Sequence, residues 1–130
     1  MSGPAFYPSA IRKITGVDGG SYLGGPPRVV IHTTETADFY ESKTYYHLQV
    51  RDMGDRVEAR QYIPFTKASR ALRNLPGGVE TNRIGDVCIN ISIVGYAKNS
   101  PNLSDRMIQW LGEFAAWCHT EWGVPLRAPK

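Results

Sequence analysis

His32, Tyr46 and His47 are the residues of this chain whose types and positions are best suited to chemistry. His32 closes the run RVVIH at residues 28–32, and Thr33 and Thr34 follow it. A polar side chain at the end of a strand is held rigidly, which suits a reactive site. Neutral imidazole is also the commonest metal ligand, and zinc takes it readily. From position alone, an imidazole satisfied by a backbone carbonyl is the competing reading. Tyr46 and His47 are consecutive, and consecutive strand residues face opposite ways, so they cannot both enter one cleft. A phenol at Tyr46 could donate to developing oxyanion charge, or its ring could pack in a core. His47, on the other face, is expected to be structural. His119 lies beside an apolar helical stripe and reads as a partly exposed helix residue. Its side chain is about 100° from that of Cys118, poor geometry for sharing one metal. Trp110, Trp117 and Trp122 could stack on sugars, but their helical spacing points to packing.

Periodicity gives the elements that must position these residues. Residues 28–32 are a short β-branched run after Pro26 and Pro27 and read as a buried strand. Residues 33–36 supply hydroxyls and an N-cap for a short helix over 37–42. Residues 45–51 (YYHLQVR) read as a second strand with Tyr46, Leu48 and Val50 on one face. DMGD at 52–55 is turn chemistry, and 57–64 reads as the third strand of a hairpin. Residues 65–80 read as a long loop closed by Pro76, Gly77 and Gly78, and such loops often carry function. Residues 87–94 (VCINISIV) alternate. Val87, Ile89, Ile91 and Ile93 face a core, while Cys88, Asn90, Ser92 and Val94 make a small, mostly polar face suited to the floor of a cleft. Residues 104–122 are the strongest helix. Ser104 caps it, Asp105 suits its positive end, and Gly123 and Pro125 end it. Met107, Ile108, Leu111, Phe114, Ala115, Cys118 and Trp122 form its apolar stripe. Residues 1–27, rich in Gly and Pro, read as an irregular lead-in to one domain over 28–130. The expected class is α/β (α+β), a mixed sheet with a helix packed on it.

The composition narrows the function classes. A chain of 130 residues has room for one core. With 42% hydrophobic and 21% charged residues it has the balance of a globular domain, not of a disordered chain. No apolar run approaches about 20 residues, so no membrane span is expected. The net charge of +3 favours an anionic partner, such as a wall polymer or nucleic acid, without choosing between them. Zinc-finger spacing, an RNA-stacking aromatic signature and a basic helix are all lacking, which argues against nucleic acid. The nearest thing to a basic cluster, Lys67, Arg70 and Arg73, reads as solvated surface. No phosphate-binding loop, GxSxG elbow, CxxC or HExxH occurs. Cys88 and Cys118 permit one disulfide without demanding it. Residues 1–20 lack the apolar core of about 7–15 residues of a secretory signal, so synthesis in the cytoplasm is expected.

Three segments in this order resemble a known family: RVVIHTTET at 28–36, KTYYHLQVRDMGDRVEARQYIPFTKASRAL at 43–72 and TNRIGDVCINISIVGYA at 81–97. They look like the zinc-dependent N-acetylmuramoyl-L-alanine amidases of the phage-lysozyme and peptidoglycan-recognition-protein type. The nearest flavour is the amidase domain of endolysins from phages of actinobacteria. The resemblance spans about residues 28 to 125. It implies a central mixed sheet flanked by helices. It implies hydrolysis of the amide between the lactyl group of N-acetylmuramic acid and L-alanine of the stem peptide. The implied partner is bacterial peptidoglycan, reached by a protein made in the host cytoplasm. His32 matches the first Zn2+ ligand. Tyr46 matches the tyrosine of a Tyr-His/Tyr-Asn strand motif that assists at the zinc. Asn82 and Arg83 match an Asn-containing segment on the substrate side of the cleft, and Thr33, Thr34, Asn90 and Ser92 complete the candidate substrate contacts. Zinc would lower the pKa of bound water to about 7 and polarise the scissile carbonyl. Tyr46 would stabilise the oxyanion, and the 65–80 loop would shape the glycopeptide groove.

Two features depart from the pattern. Ser92 stands where some members carry a catalytic Glu, a residue that the recognition-protein and phage-lysozyme branches also lack. The resemblance places a second His, then a Cys or Asp ligand with a catalytic Lys nearby, on elements after the long helix. GVPLRAPK at 123–130 ends where that part would begin, so the domain is expected to be C-terminally incomplete, with one zinc ligand assignable. The alternative expectation is a non-catalytic peptidoglycan-binding or assembly module of the same fold, without a complete zinc site.

Overall fold

A computed structural model describes residues 3–41, 45–71, 82–98 and 103–126. Its strands are β1 (Ile11–Arg12), β2 (Arg28–Thr33), β3 (Leu48–Asp52), β4 (Val57–Gln61) and β5 (Cys88–Ile93), and α1 (Asp105–Trp122) follows them. The strands form one sheet in the order β1-β4-β3-β5-β2. β3 and β4 are antiparallel, and every other pair is parallel. This is the mixed sheet of a single α/β domain. The expected flanking helices reduce, among the described residues, to α1 on one face.

The hairpin forms where its turn residues ask for it. Asp52 Oδ1 accepts the Gly54 N–H at 2.9 Å, and Gly54 takes φ 96°, which only glycine adopts cheaply. β5 is an interior strand, between β3 and β2. Its Ile89, Ile91 and Ile93 join Leu48, Val50 and Ala59 in the core beneath α1. The Ser104 side chain caps α1 by accepting the Met107 N–H, and Gly123 at φ 71° closes it. Met107, Trp110, Phe114, Cys118 and Trp122 are the buried positions of α1. The buried face is therefore slightly rotated from the predicted stripe. Ile108 is 57% exposed, and Trp110 takes its place by stacking on Phe114 at 5.1 Å and 8°. The tryptophans are packing residues, since Trp117 also contacts the Tyr7 and Phe65 rings.

Three expectations need correction. The lead-in belongs to the core: Tyr7 packs edge-on against Trp110, Phe114 and Trp117, and β1 extends the sheet beside β4. The RVVIH strand is not buried. Among the described residues it pairs only with β5, at the edge of the sheet, and Ile31 is 54% exposed. The helix over 37–42 does not form across 37–41; Ser42 lies outside the described residues. Side chains take the backbone groups a helix would use. Thr36 Oγ1 donates to the Asp38 carbonyl, Asp38 Oδ1 accepts the Phe39 N–H, and the Gln49 amide bonds Tyr40 N–H and C=O. Cys88 and Cys118, which permit a disulfide without demanding it, are both buried and are not bridged to each other: Cys118 is on the inner face of α1 and Cys88 on the opposite face of the sheet. Among the described residues, no helix is long and apolar enough to cross a membrane.

Candidate functional site

The sheet face away from α1 carries the polar residues of β5. Strand alternation puts Cys88, Asn90 and Ser92 there, and all three are fully buried, deeper than a cleft floor would be. Register then sets a row across the sheet: His32 on β2 beside Ser92 on β5, Gln49 on β3 and Arg60 on β4. His32 is half-buried at the end of β2, and its Nε2 lies 2.7 Å from Asn90 Oδ1. The Tyr46 ring sits beside it, with centroids 5.4 Å apart and planes tilted 44°. Sequence reasoning paired these two residues, and the structure brings them together. It does so against one expectation. Tyr46 is not on the Leu48 and Val50 face, because β3 begins only at Leu48 and the alternation does not reach back to Tyr46.

His47 turns the other way, as expected of a structural histidine. It is fully buried and touches Phe65, which packs on Phe114. Its Nδ1 accepts the Asn90 backbone N–H at 3.0 Å, and its Nε2 donates to the Lys67 carbonyl at 2.7 Å. Burial pushes its pKa down to about 4, with the Lys67 carbonyl opposing part of that shift. Tyr22 supports this corner from outside by donating its hydroxyl to the Phe65 and Lys67 carbonyls.

Residues 37–41 strap the same polar face. Arg60 stacks its guanidinium over the Phe39 ring at 3.8 Å. Glu41 accepts from Tyr62, Lys13 and Arg60. Burial works against its charge, but these three donors hold its carboxyl below the usual range. Nothing in the sequence pattern marked Glu41 or Phe39, because their partners on β4 are about 20 residues away.

The remaining candidate substrate contacts scatter. Thr33 points to the α1 side with Ile93 and lines a cavity of about 380 Å³ shared with Gly95, Tyr96, Ser104 and Met107. It therefore cannot share a cleft with His32, its neighbour on the other face. Thr34 organises the turn after β2: its hydroxyl lies within hydrogen-bond distance of Thr36 Oγ1, at 2.8 Å, and its Oγ1 accepts the Gly95 N–H at 3.2 Å. Asn82 is buried and accepts from Ser69 Oγ, while the Arg83 carbonyl accepts the Leu23 N–H. Both lie in the segment that leads into β5, at the end of that strand opposite Ser92. Ser92 is the exception among the polar residues, since its buried Oγ has no hydrogen-bond partner among the described residues. The part of the predicted loop at 72–80, with Arg73, Pro76, Gly77 and Gly78, lies outside the described residues, as do Thr81 and 127–130.

A zinc that activates water takes three protein ligands. Among the described residues, no three of His, Cys, Asp and Glu converge. His47 has both ring nitrogens engaged, and Cys88 lies four residues down β5 from the His32 row, about 13 Å along the sheet. His119 is at the far end of α1, with Nδ1 2.9 Å from the Val124 carbonyl. The described residues therefore do not make a zinc site by themselves; they offer His32 alone. No family model, curated protein or solved structure matches the chain.

Proposed function

We propose that this chain is a peptidoglycan hydrolase domain that cleaves the amide between N-acetylmuramic acid and L-alanine of the stem peptide, as an endolysin-type amidase. The observation that carries the reading is the His32–Tyr46 pair, an imidazole and a phenol side by side at the end of β2. On this reading His32 is one Zn2+ ligand. Tyr46, whose ring centroid lies 5.4 Å from that of His32, offers a phenol O–H suited to donating to a substrate carbonyl. Bacterial peptidoglycan is the partner, and the protein acts on the wall after synthesis in the host cytoplasm. Incubation with purified actinobacterial wall should release stem peptides with a free L-alanine amino group, and zinc should co-purify. His32→Ala should abolish release while costing about 1–3 kcal/mol of stability, because the buried Asn90 Oδ1 loses its hydrogen bond to His32. Release that survives His32→Ala would sink the proposal.

One observation favours a second reading. Because no three-ligand group exists among the described residues, the chain also suits a non-catalytic wall-binding or assembly module of the same fold. Retention on wall in a pulldown, without released peptide or bound zinc, would select it.

A further inference from the structure

The geometry points to Asn90 as a positioning residue: it fixes His32 as the Nε2–H tautomer and leaves Nδ1 as the working nitrogen. An asparagine amide has one donor end and one acceptor end. The Asn90 Nδ2 lies 3.4 Å from the Cys88 carbonyl oxygen and 3.8 Å from Cys88 Sγ, so its donor end is directed at Cys88. A flipped amide would set Oδ1 against that carbonyl, acceptor facing acceptor. Oδ1 therefore faces His32, at 2.7 Å from Nε2. An amide oxygen only accepts, so the proton is on Nε2; the other tautomer would press two lone pairs together.

The amide is also held where it is. Asn90 is fully buried on the interior strand β5, between β3 and β2. Its backbone N–H goes to His47 Nδ1, and its carbonyl accepts the His47 N–H at 2.9 Å. His47 thus anchors Asn90, and Asn90 orients His32. No hydrogen bond reaches His32 Nδ1 among the described residues, so its lone pair is left for whatever His32 handles, a cation or a substrate proton. A hydrogen bond on one ring nitrogen that sets the role of the other is how working histidines are tuned. The tautomer follows from these contacts alone; the role of Nδ1 in catalysis rests on the wall-hydrolase reading above.

Long-range proton–nitrogen correlation spectra of the full 130-residue chain with labelled imidazoles test this. They are recorded at about pH 8.5, two units above the ordinary histidine pKa. Wild-type His32 should show a protonated Nε2 and a bare Nδ1. Asn90→Asp keeps an acceptor and should keep that signature. Asn90→Leu should lose it, with both tautomers appearing. A wild-type proton on Nδ1, or an unchanged single tautomer in Asn90→Leu, overturns the inference. If Asn90→Leu does not fold, the wild-type and Asn90→Asp spectra decide. In a chain that releases stem peptide, Asn90→Leu should lower release roughly 10–100-fold, and Asn90→Asp should restore most of it. A wild-type chain with the Nε2–H tautomer and no release removes the hydrolase reading while the tautomer stands.

Discussion

Mild acid should weaken this fold through one residue. His47 is fully buried, with Nδ1 on the Asn90 N–H and Nε2 on the Lys67 carbonyl. Burial lowers its pKa from 6.5 to about 4. Below about pH 6.5 the unfolded chain takes a proton that the folded chain refuses. The stability is therefore complete above pH 6.5 and is lost as pH falls toward 4. The slope is about 1.4 kcal/mol per pH unit for one proton. Between pH 6.5 and 5 the loss is about 2 kcal/mol, and by pH 4 it is about 3 kcal/mol. Two carboxylates cannot imitate this. Glu41 and Asp52 are held below their ordinary values of 4.5 and 3.8, so their contributions fade only at lower pH. Urea unfolding at steps between pH 6.5 and 5 reads the slope directly. His47→Gln keeps a donor and an acceptor but does not titrate, so its stability should be less steep over the same range. A wild-type chain whose unfolding free energy is flat from pH 6.5 to 5 would refute the reasoning.

Ser92→Ala should be neutral or stabilising by up to about 1 kcal/mol, because it removes a buried hydroxyl without a partner. A measured loss above about 1 kcal/mol in a urea melt would mean that the hydroxyl is bonded. Phe114→Ala should cost about 3–5 kcal/mol, since its ring is 1% exposed and packed among Tyr7, Trp110 and Phe65. A cost below about 1 kcal/mol would contradict that packing.

The sequence displayed most of the elements because each has a local cause. The alternation in VCINISIV divides β5 into its two faces, and Ser104 with Gly123 brackets α1. The DMGD turn produces the β3–β4 hairpin. What stayed hidden was register. His32, Asn90 and Tyr46 meet only because Arg28 pairs with Cys88 and Leu48 with Ile91, which no short-range pattern encodes. Asn90 was legible as a residue on the polar face of β5, but not as the partner of His32. The missing helix at 37–41 has a similar origin. The hydroxyls of residues 33–36 suit a helix start in sequence, while the deciding partner, Gln49, is on another strand. Tyr7 was missed because a Gly- and Pro-rich segment gives no periodicity to read, although its ring finds three aromatic neighbours.

The pairing of β2 with β5 sets a timetable for biosynthesis. Arg28 and its cross-strand neighbour Cys88 are separated by 60 residues, so the first long strand leaves the ribosome well before its mate. At about 5–20 residues per second, that wait is roughly 3–12 s. Throughout it the segment RVVIH has no bed to lie on, and a β-branched apolar run in that condition invites aggregation. Nascent chains arrested before Ile93 has emerged should bind a hydrophobic chaperone through this segment, and chains released after it should not.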